Sequence, residues 1–240
     1  MVGALTKYEL MELPLRKPTG AEVSGAWLYL KAAHASVSGL FDALHLLRQQ
    51  AAAARGERRG QLTGDQQDLL RAALVFTSSG LDACCQRLLR DSLPTLIEGS
   101  SAAEGKFIER IRSELTASRI SKPLQNAICD GQPRLRLIDF YVNLLVGSSL
   151  QGTSDLQRVR DALGVAAEAV PDASIESLQS FFTARNRIVH ELDYIEVDGR
   201  GARRTTQVMG DVRDQCNQVV DLLIKLLTHT AKAARAARKA

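Results

Sequence analysis

Apolar residues return every three or four positions along most of this chain, with polar residues filling the gaps. That spacing predicts helices that bury one face. Over 21–54, Leu30, Val37, Leu40, Phe41, Leu44 and Leu47 keep the period and predict one long helix. Three glycines and three arginines in 55–64 then mark a solvated loop. Asp65 is placed to cap a second helix. Val75, Leu81, Cys85, Leu88 and Leu89 carry that helix to about Leu93, where Pro94 is expected to stop it. Shorter helices are predicted over 102–118, 120–129 and 154–165, the last capped by Ser154 and ending near Gly164. Residues 134–146 are apolar nearly all round, which predicts a central, buried helix. After Pro171, Ser174 opens a helix that runs to His190, and 191–201 reads as extended. Over 205–230, Val208, Val212, Cys216, Val219, Val220, Leu223 and Leu227 share one face of a terminal helix. There is no strong strand alternation and no internal repeat. The expected fold class is therefore all-α, a helical bundle. Residues 1–20, broken by Pro14 and Pro18, form an N-terminal extension; 21–230 form one domain; 231–240 form a basic tail.

Composition narrows the class. A chain of 240 residues, 45% of them hydrophobic, can bury a sizeable core and is not disordered. No apolar run approaches the roughly 20 residues of a membrane span. No basic segment followed by an apolar one marks a secretory signal. Cys84, Cys85, Cys129 and Cys216 include no CxxC pair, and His34 and His45 have no partner at metal-ligand spacing. Free thiols in a reducing cytoplasm are expected, with no metal, no cofactor and no membrane partner. GxSxG and HExxH are missing, which argues against the commonest hydrolase chemistries. Gly99 to Lys106 fails as a phosphate loop: five residues separate Gly99 from Gly105, and Phe107 stands where a magnesium-binding hydroxyl is needed. The net charge is +4, mild but suited to RNA.

The suggestive chemistry lies in Phe181-Phe182-Thr183-Ala184-Arg185-Asn186-Arg187-Ile188-Val189-His190. On a helical wheel Leu178, Phe181, Ile188, Val189 and Leu192 form an apolar arc, and Arg185 falls near its middle. A guanidinium on such a face is costly unless an anion or a polar network receives it. Asn186 and His190 are four residues apart and stand one above the other. A histidine near a helix C-terminus also interacts favourably with the helix dipole without any further role. Asp82 is a second polar residue on an apolar arc, that of the helix before Pro94. Two readings of it stand. It lies within reach of Arg185 or His190 and orients them, or it caps or faces solvent near Gly80.

Arg-Asn-x-x-x-His near a helix end, preceded by aromatics and followed by an acidic residue, resembles the signature of the HEPN superfamily. The match is Arg185 to His190, about a tenth of the chain, and the remainder agrees in being helical. One subgroup of that family carries a tyrosine two residues after the histidine; here Leu192 stands there, and the tyrosine is Tyr194. The resemblance implies a HEPN-like helical bundle and a metal-independent endoribonuclease, with Arg185, Asn186 and His190 as catalytic residues. In the family two motifs form one composite site. A single copy here implies a homodimer, in keeping with the roughly 140° that separates Arg185 from His190 on an ideal helix; a distorted helix end would also bring them together. It further implies a toxin or antiviral-defence effector that cuts cellular RNA, restrained by an antitoxin or defence-system partner. Arg187, Arg200, Arg203 and Arg204 are the candidate RNA-contacting residues, and Lys232, Arg235, Arg238 and Lys239 of the tail add nonspecific affinity. The alternative is a non-catalytic HEPN-like RNA-binding or protein-assembly module, in which Arg185 and Asp82 form a structural ion pair. A third reading is a helical adaptor that docks through its basic tail.

Overall fold

Val23, Trp27, Leu30, Val37, Phe41 and Leu44 keep a three-to-four-residue period on α1 (Ala21–Arg55), and all are buried. They face α2 (Gly64–Gly99), the helix through the middle of the molecule. The chain continues through α3 (Ser101–Leu115), α4 (Lys122–Ile128), α5 (Pro133–Val146), α6 (Thr153–Ala162), α7 (Asp172–Glu176) and α8 (Gln179–Glu191). A hairpin follows, β1 (Tyr194–Asp198) antiparallel to β2 (Gly201–Arg204), and then α9 (Met209–Ala237). The computed structural model describes residues 5–55, 62–150, 152–198 and 201–239. The architecture is all-α apart from that hairpin.

Helix directions follow from close approaches. Gly80 on α2 meets Ala33 on α1, and Gly25 on α1 meets Arg87 and Asp91, so the two helices are antiparallel. Thr77 Oγ1 donates to Cys216 Sγ at 3.2 Å, and Gly99 abuts Ala237, so α9 runs parallel to α2. Residues 5–20 strap this trio without helix. Met11 N donates to Asn217 Oδ1 at 2.8 Å, and His34 Nε2 bonds Met11 O at 2.8 Å. The shorter helices α3, α5, α6 and α8 cover other faces of α2.

Several boundaries differ from the sequence reading, each for a local reason. The cap of α2 is Thr63 rather than Asp65: its hydroxyl accepts from Gln66 N, and Gln66 Oε1 accepts from Thr63 N at 3.1 Å. This reciprocal box satisfies two donors at once. Pro94 does not stop α2. Leu93, Leu96 and Ile97 are fully buried on either side of it, and their packing outweighs the hydrogen bond that proline cannot make. Helix α6 is capped at Gly152 and already contains Ser154; Gly164, in the left-handed region at φ 65°, ends that segment. Helix α5 is not central. Ile138, Phe140, Tyr141 and Val142 are buried, whereas Leu135 and Leu144 are exposed. The segment opened at Ser174 breaks at Ser177–Leu178, which separates α7 from α8; Leu178 turns its side chain into the core. The basic tail is helical to Ala237, because Thr230, Ala231 and Ala234 continue the buried stripe of α9. Most of the loop expected at 55–64 lies outside the described residues. Among the described residues no helix is long and apolar enough to cross a membrane.

Gly80 sets the spacing between α1 and α2. A Cβ there would overlap Ala33 Cβ, which has no flexible end to move aside. Gly80→Ala gains up to about 1 kcal/mol of helix propensity but forces overpacking worth about 1–3 kcal/mol. A net loss is expected in urea denaturation, partly restored by adding Ala33→Gly.

Candidate active site

Helix α8 is held by Phe181 and Phe182, both buried and in edge-to-face contact at 5.4 Å between ring centroids, and by Ile188. They fix one face and leave the last two turns at the surface. Arg185, Asn186 and Arg187 are half-buried there, and His190 is exposed. Arg185 Nη1 donates to Asn186 Oδ1 at 2.8 Å. Arg185 Nε is shielded from solvent and has no hydrogen-bond partner. Among the described residues Arg185 has no carboxylate partner. The apolar arc predicted for this helix ends at Ile188. Val189 is 46% exposed and Leu192 63% exposed, since Leu192 has left the helix.

The turn after α8 is strained and strongly held. Leu192 (φ 50°) and Asp193 (φ 64°) both lie in the left-handed region, at a cost of about 1–3 kcal/mol each unless the surroundings fix them. Asp193 tolerates this better than Leu192 does. Its carboxylate is buried. Oδ2 accepts from Arg71 Nε at 2.9 Å and from Gln207 Nε2 at 2.8 Å. Arg71 Nη2 donates to Thr205 O at 2.6 Å, and Nη1 to Asp68 Oδ1 at 2.9 Å. The backbone closes the same knot: Thr205 N donates to Asp193 O, and Asp193 N to Arg187 O. Gln67 exchanges two hydrogen bonds with the backbone of Gln207. The first turns of α2 thus hold both flanks of the hairpin and, through them, the end of α8.

The structure divides the predicted site residues. Arg185, Asn186 and His190 share one helix end. Asp82 is engaged elsewhere: Oδ1 accepts from Leu150 N at 2.9 Å and Oδ2 from Gln86 Nε2 at 3.1 Å, so it anchors the loop before α6 and forms no ion pair with Arg185 or His190. Arg187 Nη1 donates to Thr205 Oγ1 at 3.2 Å, which ties it to the base of the hairpin. Arg204 donates to Leu192 O at 2.9 Å and to Asp68 Oδ1 at 2.7 Å, and its guanidinium lies over the Tyr194 ring. It clamps the turn rather than projecting as a free cation. Arg203 is exposed on β2. Arg200 lies outside the described residues. Among the described residues no three histidine, cysteine or acidic side chains gather to hold a metal.

Sequence reasoning missed Arg71 and Asp193. Arg71 carried no signal: at 100° per residue it lies about 60° beyond Leu74, outside the arc of Leu70, Ala73 and Leu74, whereas Asp82 falls inside its own. Nothing in the pattern marks Asp193, which is buried by a turn and not by a periodic element. Comparison with protein-family models, with curated proteins and with solved structures gives no match.

Removing one member of a buried, hydrogen-bonded ion pair leaves the other unpaired and costs about 3–5 kcal/mol. Arg71→Ala is expected to lose that much in denaturant titration. It should also raise amide exchange at Asp193 and Thr205 before the core opens. A loss below about 1 kcal/mol, the range of an exposed pair, would show that the pair does not hold the turn.

Proposed function

We propose that this protein is a metal-independent endoribonuclease of the HEPN type that works as a homodimer. The observation that carries the proposal is the half-buried guanidinium of Arg185, without a carboxylate partner among the described residues, on the same two helical turns as an exposed His190. A partly shielded arginine is suited to an external anion, and its planar fork matches phosphate oxygens.

RNA supplies its own nucleophile. A base removes the 2′-hydroxyl proton, the 2′-oxygen attacks phosphorus, and the bond to the 5′-oxygen breaks as an acid protonates it. The products are a 2′,3′-cyclic phosphate and a 5′-hydroxyl. Histidine, with an ordinary pKa of about 6.5, serves either as base or as acid near neutral pH. Arginine stabilises the charge that develops on the equatorial oxygens. Asn186 holds the Arg185 fork through Nη1. One imidazole does not readily serve both ends of the scissile bond, so two copies of the motif are required, related by a two-fold axis. Exposed Val189 and Leu192 beside His190 support a subunit seam at this place. Such an enzyme acting on cellular RNA fits a toxin or defence effector under the control of a partner.

The test is cleavage of single-stranded RNA in EDTA. Native protein is expected to cut and to leave 5′-hydroxyl ends that accept phosphate directly from a polynucleotide kinase. His190→Ala should lose about 10²–10⁴-fold in rate, and Arg185→Ala about 10²–10³-fold, with unchanged circular dichroism. Binding without cleavage by the native chain would move it to the non-catalytic RNA-binding reading. On the same substrate, Val189→Asp should shift the mass in light scattering from dimer to monomer and abolish cutting. A fully active monomer would refute the composite site.

A further inference from the structure

At the far end of α9 from the motif, two parts of the chain more than two hundred residues apart form a cationic groove. Its volume is about 300 Å³. Arg16 and Lys17 of the N-terminal strap line one wall, and Lys232 and Arg235 of α9 line the other, with the Thr19 and Thr228 hydroxyls between. Arg235 Nη2 donates to Thr19 Oγ1 at 2.8 Å, which fixes the strap against the helix. No carboxylate lines the groove, and none of its four cations has an acidic partner among the described residues. Glu22 nearby in sequence is buried and paired with Arg238 at 3.4 Å.

Cations in the last turns of a helix are expected from the helix dipole, and that accounts for Lys232 and Arg235. It does not account for Arg16 and Lys17, which belong to no helix. Bringing four like charges together around one concavity is unfavourable unless an anion occupies it. Elsewhere on this surface Lys7, Arg87, Lys106, Arg110, Arg134, Arg136 and Lys225 lie against carboxylates, and cations without an ion pair among the described residues, such as Lys31, Arg90 and Arg119, do not line a shared groove with others.

We propose that this groove binds consecutive phosphates of a single RNA strand, as a second contact remote from the cleavage site. The choice of RNA rests on the nuclease reading above; the affinity for a phosphate backbone does not. The groove lies about 35 Å along α9 from Met209, at 1.5 Å per residue, so a strand engaged at both ends crosses the length of the bundle. Fork-shaped Arg16 and Arg235 match pairs of phosphate oxygens, the two lysines add point charges, and the threonine hydroxyls donate hydrogen bonds.

The proposal is tested by binding in the full-length His190→Ala protein, where cleavage does not interfere. The probes are a fluorescent 20-nucleotide RNA, DNA of the same sequence, and phosphatidylserine vesicles. Each phosphate contact to a single strand contributes about 0.7 to the slope of log affinity against log salt. Replacing Arg16, Lys17, Lys232 and Arg235 together by glutamine is expected to lower that slope by about 2–3 and to weaken RNA binding at least about tenfold at 100 mM salt. Arg134→Gln/Arg136→Gln, on exposed and ion-paired residues of α5, should leave the slope unchanged. Should the fourfold variant fail to fold, Arg16→Gln/Lys17→Gln, outside any helix, carries the test with a slope change of about 1–1.5. An unchanged slope, an equal drop in the α5 control, or binding to vesicles and not to oligonucleotides would overturn the proposal. Equal loss for RNA and DNA would support a phosphate groove. Native protein that binds through the groove yet never cuts would end the nuclease reading and leave the groove intact.

Discussion

The Arg71–Asp193 ion pair is the interaction on which the candidate site depends. It joins the first turns of α2 to a turn that the backbone would not adopt unaided. Leu192 and Asp193 both sit in the left-handed region, and together they cost a few kcal/mol if nothing fixes them. The pair does not act alone. Gln207 shares the carboxylate, Thr205 shares the guanidinium, and Arg204 takes the carbonyl of Leu192. Burying an isolated carboxylate is far more expensive than these strains. Once Asp193 is inside, every donor that reaches it is held tightly, and the direction in which the chain leaves α8 is set. The end of α8 carries His190, so the stability of the turn and the placement of the imidazole are one physical problem.

How much of this was legible in the sequence follows from what each element is made of. Helices α1 and α9 were readable because their buried stripes repeat over many turns, so the period outweighs any single residue. Even so, the stripe of α9 runs past 230 on small residues, Thr230, Ala231 and Ala234, which carry little hydrophobic signal. Pro94 misled because a local rule met a global one: three fully buried aliphatic residues around it hold α2 together. The hairpin was seen only as an extended stretch. Its strands are four and five residues long, and pairing between them decides its form more than composition does.

The motif itself was legible as a cluster, and its surroundings were not. Asp82 stands on a core arc, where a carboxylate is expected to meet a cation, and among the described residues the structure gives it none. The partner is a backbone N–H, that of Leu150, from a loop whose path no periodicity predicts. Conversely the partner of the buried arginine that does need an acid, Arg71, arrives from a turn 122 residues away. One-dimensional patterns identify polar residues that must be satisfied, but they do not say by whom.

That distinction separates two arginines that helices carry wholly or partly below the surface. Arg71 is nearly inaccessible and meets two carboxylates and a carbonyl; its charge is fully answered inside the protein. Arg185 is half-buried, donates to the amide of its neighbour Asn186, has no carboxylate partner among the described residues, and keeps a shielded Nε with no acceptor. A structural role accounts for Arg71 completely. For Arg185 the described residues supply the Asn186 amide and no carboxylate, so its charge is not answered by an acid as that of Arg71 is. Arg204, next in the same region, meets the Asp68 carboxylate and the Leu192 carbonyl, whereas Arg187 bonds the neutral Thr205 hydroxyl. Among the described residues Arg185, close to His190, combines a shielded nitrogen that finds no acceptor with the lack of a carboxylate, and an anion brought from outside is the simplest way to complete it.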